Sequence, residues 1–152
     1  MEFSFIPDEN NDNRKIIYHD DESSFDMSES LFSDFSLMTG CIYLGLDICL
    51  NSLQIVNISG YCPSHLWINR KLSLPSDIKE GVVKIKTDED FCSGTGTYLY
   101  DDSKIYYDTN NNFCYIECVK NQDADCNIKF CNNGIISLYR NKLVGIWIWG
   151  IR

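Results

Sequence analysis

Histidine is scarce in this 152-residue chain, with His19 and His65 its only examples, and no apolar run approaches the length needed to cross a bilayer. The first shortage removes the commonest general base and metal ligand from almost every position; the second removes a helical membrane anchor. The first residues, Met1 to Pro7, are followed by acids and asparagines, without the basic and apolar regions of an export signal, so a cytoplasmic chain is expected. Gly94-Thr95-Gly96 has no following lysine or helix and is no phosphate loop. Asp108-Thr109-Asn110-Asn111-Asn112 opens like a calcium loop, but Phe113 stands where the glycine bend is required and no glutamate closes it.

Cysteine, in contrast, is plentiful, at eight residues. A chain with no export signal and enough length for its own core needs no disulfide staples, so these read as reduced, mostly buried thiols. The spacing of Cys114, Cys118, Cys126 and Cys131 leaves gaps of three, seven and four residues, which do not match zinc knuckles. Cys62 and His65 are too close in sequence to resemble a catalytic pair assembled from separate segments. No acid and base pair stands out; the acids Asp88-Glu89-Asp90 and Asp101-Asp102 read as solvated loop tips. No catalytic residue, metal or cofactor is expected, and the chain reads as a non-enzyme.

Apolar residues at 44% and charged residues at 23% are globular proportions, and the length suits one domain spanning residues 1–152. The charge is unevenly placed. Residues 1–40 carry ten acids against Arg14 and Lys15, a balance of −8, and residues 41–152 carry −1. The chain therefore divides into an acidic N-terminal segment, 1–40, and a β core, 41–152. Asp20, Asp21, Glu22, Asp26, Glu29 and Asp34 would repel nucleic acid and anionic membrane and attract a basic protein surface; the alternative is a solvated acidic arm that only aids solubility.

From Cys41 onward the apolar period is two. Cys41 to Leu50 alternates and reads as a strand, returned through Asn51-Ser52 into Leu53 to Ile58. Ser59 to Gly81 reads as a long ordered crossover with Trp67, Ile68, Leu72 and Leu74 as plugs and a helical turn between Ser76 and Gly81. Short strands follow at Val82–Lys86, Thr97–Tyr100, Lys104–Tyr107 and Phe113–Val119. A closing meander covers Ile128–Cys131, Ile135–Tyr139 and Leu143–Ile151, with turns at Asn132-Asn133-Gly134 and Arg140-Asn141-Lys142. The last strand is apolar on both faces and should be central and covered twice. Before Cys41, Phe3–Ile6 and Arg14–His19 read as strands, and Ser28 caps an expected short helix carrying Leu31, Phe32, Phe35 and Met38. The fold class expected is mainly β, an antiparallel sheet, sandwich or open barrel with one or two short helices.

Tyr98 and Tyr100 on one strand face, near Tyr106, Tyr107 and Tyr115, suggest either ordinary cross-strand packing or an aromatic platform suited to protein contact, since the balance of charge is wrong for nucleic acid. Trp147 and Trp149 are alternative anchors if the last strand is covered on one side only.

Tyr43-Leu44-Gly45-Leu46-Asp47, Ser59-Gly60-Tyr61-Cys62-Pro63 with Trp67, and Leu143-Val144-Gly145-Ile146-Trp147-Ile148 resemble small bacterial immunity proteins encoded beside polymorphic toxins, including those of contact-dependent growth inhibition. The resemblance covers roughly residues 41–152 and rests on strand and turn patterns. It implies a cytoplasmic, non-catalytic protein that neutralises one cognate toxin, typically a nuclease with a basic active site, by covering that site or its substrate channel. The acidic first 40 residues match no part of that pattern. The other readings are a cytoplasmic protein-binding module without a toxin partner and an unrecognised small enzyme.

Overall fold

In a computed structural model that describes residues 1–8 and 12–152, about half of the chain is strand, 2% is helical, and the described residues form no α-helix. The strands are β1 (Glu2–Pro7), β2 (Ile16–His19), β3 (Ser24–Met27), β4 (Phe35–Met38), β5 (Gly45–Cys49), β6 (Gln54–Tyr61) and β7 (Ile68–Asn69). They continue as β8 (Lys79–Lys86), β9 (Thr95–Tyr98), β10 (Lys104–Asp108), β11 (Phe113–Glu117), β12 (Cys126–Cys131), β13 (Gly134–Tyr139) and β14 (Lys142–Trp149). The main path runs β7-β10-β11-β14-β13-β12-β8-β6-β5-β4-β9, with β1 on β8 and the β2–β3 hairpin on β6. The sheet curls into an open half-barrel. Register shifts leave one extra residue on β6 (Val56), on β12 (Phe130) and on β14 (Val144) and sharpen the curl, because an extra residue bends the strand that carries it.

Most neighbours are antiparallel, and their turns carry the chemistry such turns need. Arg140 and Asn141 both have positive φ, at 49° and 64°, as a two-residue turn matched to strand twist demands. Three pairings are parallel, β7 with β10, β8 with β12 and β4 with β9, each joining segments distant along the chain.

Period-two alternation places one apolar residue of each strand in a common row. Ile105, Ile116, Ile146, Ile136 and Ile128 are register partners across β10, β11, β14, β13 and β12, and all are buried. Leu37, Leu46 and Ile58 form a second row across β4, β5 and β6. Burial of each such side chain stabilises by roughly 1.5–3 kcal/mol. The β14 strand is central, as its two apolar faces required, with β11 on one side and β13 on the other.

The acidic segment is woven into the same body. Phe3, Ile16, Phe25, Phe35 and Leu37 join the core that the later strands build. Asn133, between β12 and β13, accepts from the Ile16 N–H and donates to the Ile16 and Trp149 carbonyls, clamping β2 to the end of β14. The Arg14 guanidinium binds Asp12, the Asn57 side chain and the Glu29 and Val56 carbonyls.

Three local expectations are corrected. The helix expected after Ser28 is absent; its apolar residues divide between an exposed stretch, Leu31 and Phe32, and the strand β4, where Phe35 and Leu37 alternate inward. No helical turn forms between Ser76 and Gly81, because Lys79 and Glu80 already pair with β12. The strand expected from Cys41 starts only at Gly45, because Gly40 at φ 82° and Ile42 at φ 55° fold the preceding residues into a turn.

Candidate partner-binding surface

Left-handed backbone is costly for a β-branched residue, by about 1–2 kcal/mol, so the Ile42 conformation must be imposed by its surroundings. They do so through several hydrogen bonds. Buried Thr39 donates its N–H to the Leu44 carbonyl at 3.0 Å and its hydroxyl to the same oxygen at 2.9 Å. The Leu44 N–H reaches the Cys41 carbonyl, the Tyr43 N–H reaches the Tyr61 carbonyl, and the Ser103 N–H reaches the Gly40 carbonyl. The Tyr43 carbonyl lies directly against Gly60, whose φ of 133° and missing side chain make the approach possible. The turn is thus rigid and strained.

What the turn displays is apolar. Ile42 is 39% exposed and Tyr43 60%, whereas Leu44 beside them is fully buried. Tyr98, at 56%, adjoins them from β9, and with Gly40, Asp101 and Asp102 these residues line an open depression of about 510 Å³. The strand β9 pairs only with β4, so its outer edge carries no strand among the described residues. Aromatic and branched side chains held rigidly in solvent, with acids at the margin, make a surface suited to a partner with cations around an apolar centre.

The residues singled out from sequence do not converge. Asp20, Asp21 and Glu22 form the tip of the β2–β3 hairpin, and Asp20 holds Arg152 at 2.5 Å. That guanidinium also lies 5.0 Å from the Trp67 ring centre and within 6 Å of Tyr18 and Tyr107. Asp26 accepts the Met27 N–H, and Asp34 accepts the Leu50 N–H at 2.7 Å, so both carboxylates serve the backbone. Glu29 is exposed, and the acid Glu9 lies outside the described residues. Tyr98 and Tyr100 share no platform, because β9 ends at Tyr98 and the half-buried Tyr100 hydroxyl donates to the Leu143 carbonyl. Burial pushes the Tyr100 phenol up to about 12.

Trp147 and Trp149 are half-buried on the outer face of β14. Trp147 packs on Tyr115 at 4.3 Å between ring centres. The segment 70–77 bridges from β7 towards β12 above these rings, leaving an open groove of about 690 Å³ that Trp147, Tyr115, Glu117 and Asn127 also line. The strap is pinned where Asp108 accepts the Leu72 N–H; that bond and the Asn111 amide hold the Asp108 carboxyl below its ordinary range.

Of the groups weighed for chemistry, His65 is exposed on the 3-10 turn Ser64–Leu66, while Cys62 is fully buried against Cys41. All eight cysteines are free, and no cluster of three or more His, Cys, Asp and Glu among the described residues is arranged to hold a metal ion. Ile42, Tyr43, Asp101 and Asp102 escaped the sequence reading, since the first two looked like strand and the acids like ordinary loop tips. The signal was slight: Gly40 just before the alternation, and Ser59-Gly60 opposite it. No family model matches the chain, and no curated protein sequence matches it.

Proposed function

We propose that this chain is a non-catalytic binding protein that neutralises a basic protein partner, acting as the immunity protein of a bacterial toxin. The observation that carries the reading is the Thr39–Leu44 turn. A fold that spends hydrogen bonds holding Ile42 in strained backbone and Tyr43 in solvent gains little in its own core from either, because what burial Ile42 contributes is offset by its strain. Rigid exposed aromatics are the anchors that dominate protein interfaces, because little conformational freedom is lost when they are covered. Asp101 and Asp102 beside them, on a chain of net charge −9, favour a cationic partner such as a nuclease active site, and would steer its approach. Occlusion of that site, or of its substrate channel, follows without any chemistry by this chain.

The test is survival. The product of the reading frame adjoining this one is expressed alone and together with this chain in a neutral host. The reading predicts arrest by the first and rescue by the second; a harmless neighbour, or arrest that this chain does not relieve, would count against it. A binding module without a toxin would instead retain a partner that harms no cell.

A further inference from the structure

The Thr39–Leu44 turn is joined to the end of β6 by more than its backbone. Cys41 and Cys62 place their sulfurs 3.5 Å apart, both buried, with Cys41 keeping 4% of its surface in contact with solvent. Cys41 immediately precedes the strained Ile42, and Cys62 follows Tyr61, whose carbonyl accepts the Tyr43 N–H. Cys62 itself is well fixed: its N–H bonds the Ser23 carbonyl at 2.8 Å, and its own carbonyl accepts the Tyr18 hydroxyl at 3.0 Å. Closing the sulfurs to a covalent bond takes about 1.5 Å of movement, which small rotations of the two cysteine side chains can supply without displacing the turn's backbone.

We propose that Cys41 and Cys62 are a peroxide-responsive dithiol that closes reversibly to a disulfide and locks the turn presenting Ile42 and Tyr43. The link to binding rests on the reading of that turn as the partner surface. Hydrogen peroxide supplies the oxidising equivalents. One thiolate of the pair attacks a peroxide oxygen, the O–O bond breaks and hydroxide leaves, giving a sulfenic acid. The second sulfur attacks the first, forming the S–S bond and releasing the sulfenic oxygen as water. In sum, two thiols and one peroxide become one disulfide and two waters. A small thiol reverses the step by exchange.

The environment favours the first step at this pair over the other buried thiols. The S–H of Cys41 shared with Cys62 lowers the Cys62 pKa and raises that of Cys41, so a thiolate on Cys62 is stabilised by its own neighbour. The Trp67 indole N–H, buried and without a hydrogen-bond partner among the described residues, also favours the thiolate on Cys62. Burial instead pushes Cys118 and Cys131 up to about 12.

The test uses the full chain with Cys92→Ser, which removes the exposed thiol, treated with a small excess of hydrogen peroxide, then alkylated after unfolding and mapped by peptide mass. The expected result is the loss of two alkylatable thiols, a single linked peptide pair containing Cys41 and Cys62, and full recovery with dithiothreitol. In the oxidised chain the Tyr43 and Leu44 amides should exchange roughly tenfold more slowly. A Cys41→Ser chain should show neither change. Persistence of both thiols, or linkage of either to another cysteine, overturns the disulfide, and unchanged amide exchange in a linked chain overturns its coupling to the turn. Because neither readout uses a partner, both outcomes are independent of the survival assay.

Discussion

Replacing Ile42 with glycine removes a large apolar side chain, and the turn predicts that the fold scarcely notices. Three effects compete. Leaving left-handed backbone to a residue without a β-carbon recovers about 1–2 kcal/mol. With Ile42 39% exposed, roughly three fifths of its side-chain burial is lost, about 1–2 kcal/mol of the 1.5–3 kcal/mol that full burial contributes. The freer unfolded glycine costs a further 0.5–1 kcal/mol, roughly. The net is a destabilisation of about 1 kcal/mol or less. Leu44, two residues on and fully buried, has no such compensation, and Leu44→Ala should cost about 2–5 kcal/mol. Urea unfolding followed by fluorescence of the three tryptophans measures both variants on one scale. A loss above about 2 kcal/mol for Ile42→Gly would make Ile42 a core residue and remove the reason for calling its display functional.

Two further outcomes follow from a half-buried carboxylate and a buried amide. Asp47, bound by the Ser36 and Ser59 hydroxyls near Asp26, has its pKa raised mainly by burial, so the folded state holds its proton more tightly than the unfolded chain does. Its charge therefore opposes folding above the raised pKa, and Asp47→Asn should raise Tm at pH 7, with the gain shrinking as pH falls towards about 3.9; a lower Tm at pH 7 would contradict this. Asn133→Ala removes the three hydrogen bonds that clamp β2 to β14 and should cost about 3 kcal/mol, seen as a Tm lower by roughly 6–12 °C; a shift within about 2 °C would mean water replaces the clamp.

Much of the fold was legible because it follows from alternation and turn chemistry. The meander from β12 to β14 needed only the apolar parity of Ile128, Ile136 and Ile146 and the turn residues between them. The helix expected after Ser28 failed because Phe35 satisfies both a helical and a strand period, and the choice was made by pairing with Ile48 and Thr95, far along the chain. The parallel partners of β7, β8 and β9 were invisible for the same reason. The candidate surface was hidden more deeply. Ile42 has the parity of Leu44, Leu46 and Ile48, so the turn looked like the first residues of a strand, and nothing local favours positive φ in isoleucine. The acids misled in the opposite direction: Asp20, Asp26 and Asp34 are engaged within the chain, which charge counting does not register.

The most direct test of the central claim is a calorimetric titration of the purified basic partner with the wild-type chain and with a Tyr43→Ala, Tyr98→Ala double variant. The account predicts a one-to-one complex that the double variant binds about 100-fold more weakly, about 3 kcal/mol, with its Tm unchanged, because both side chains are mostly in solvent in the free protein. Full affinity in the double variant would place the partner elsewhere on the sheet and contradict the account.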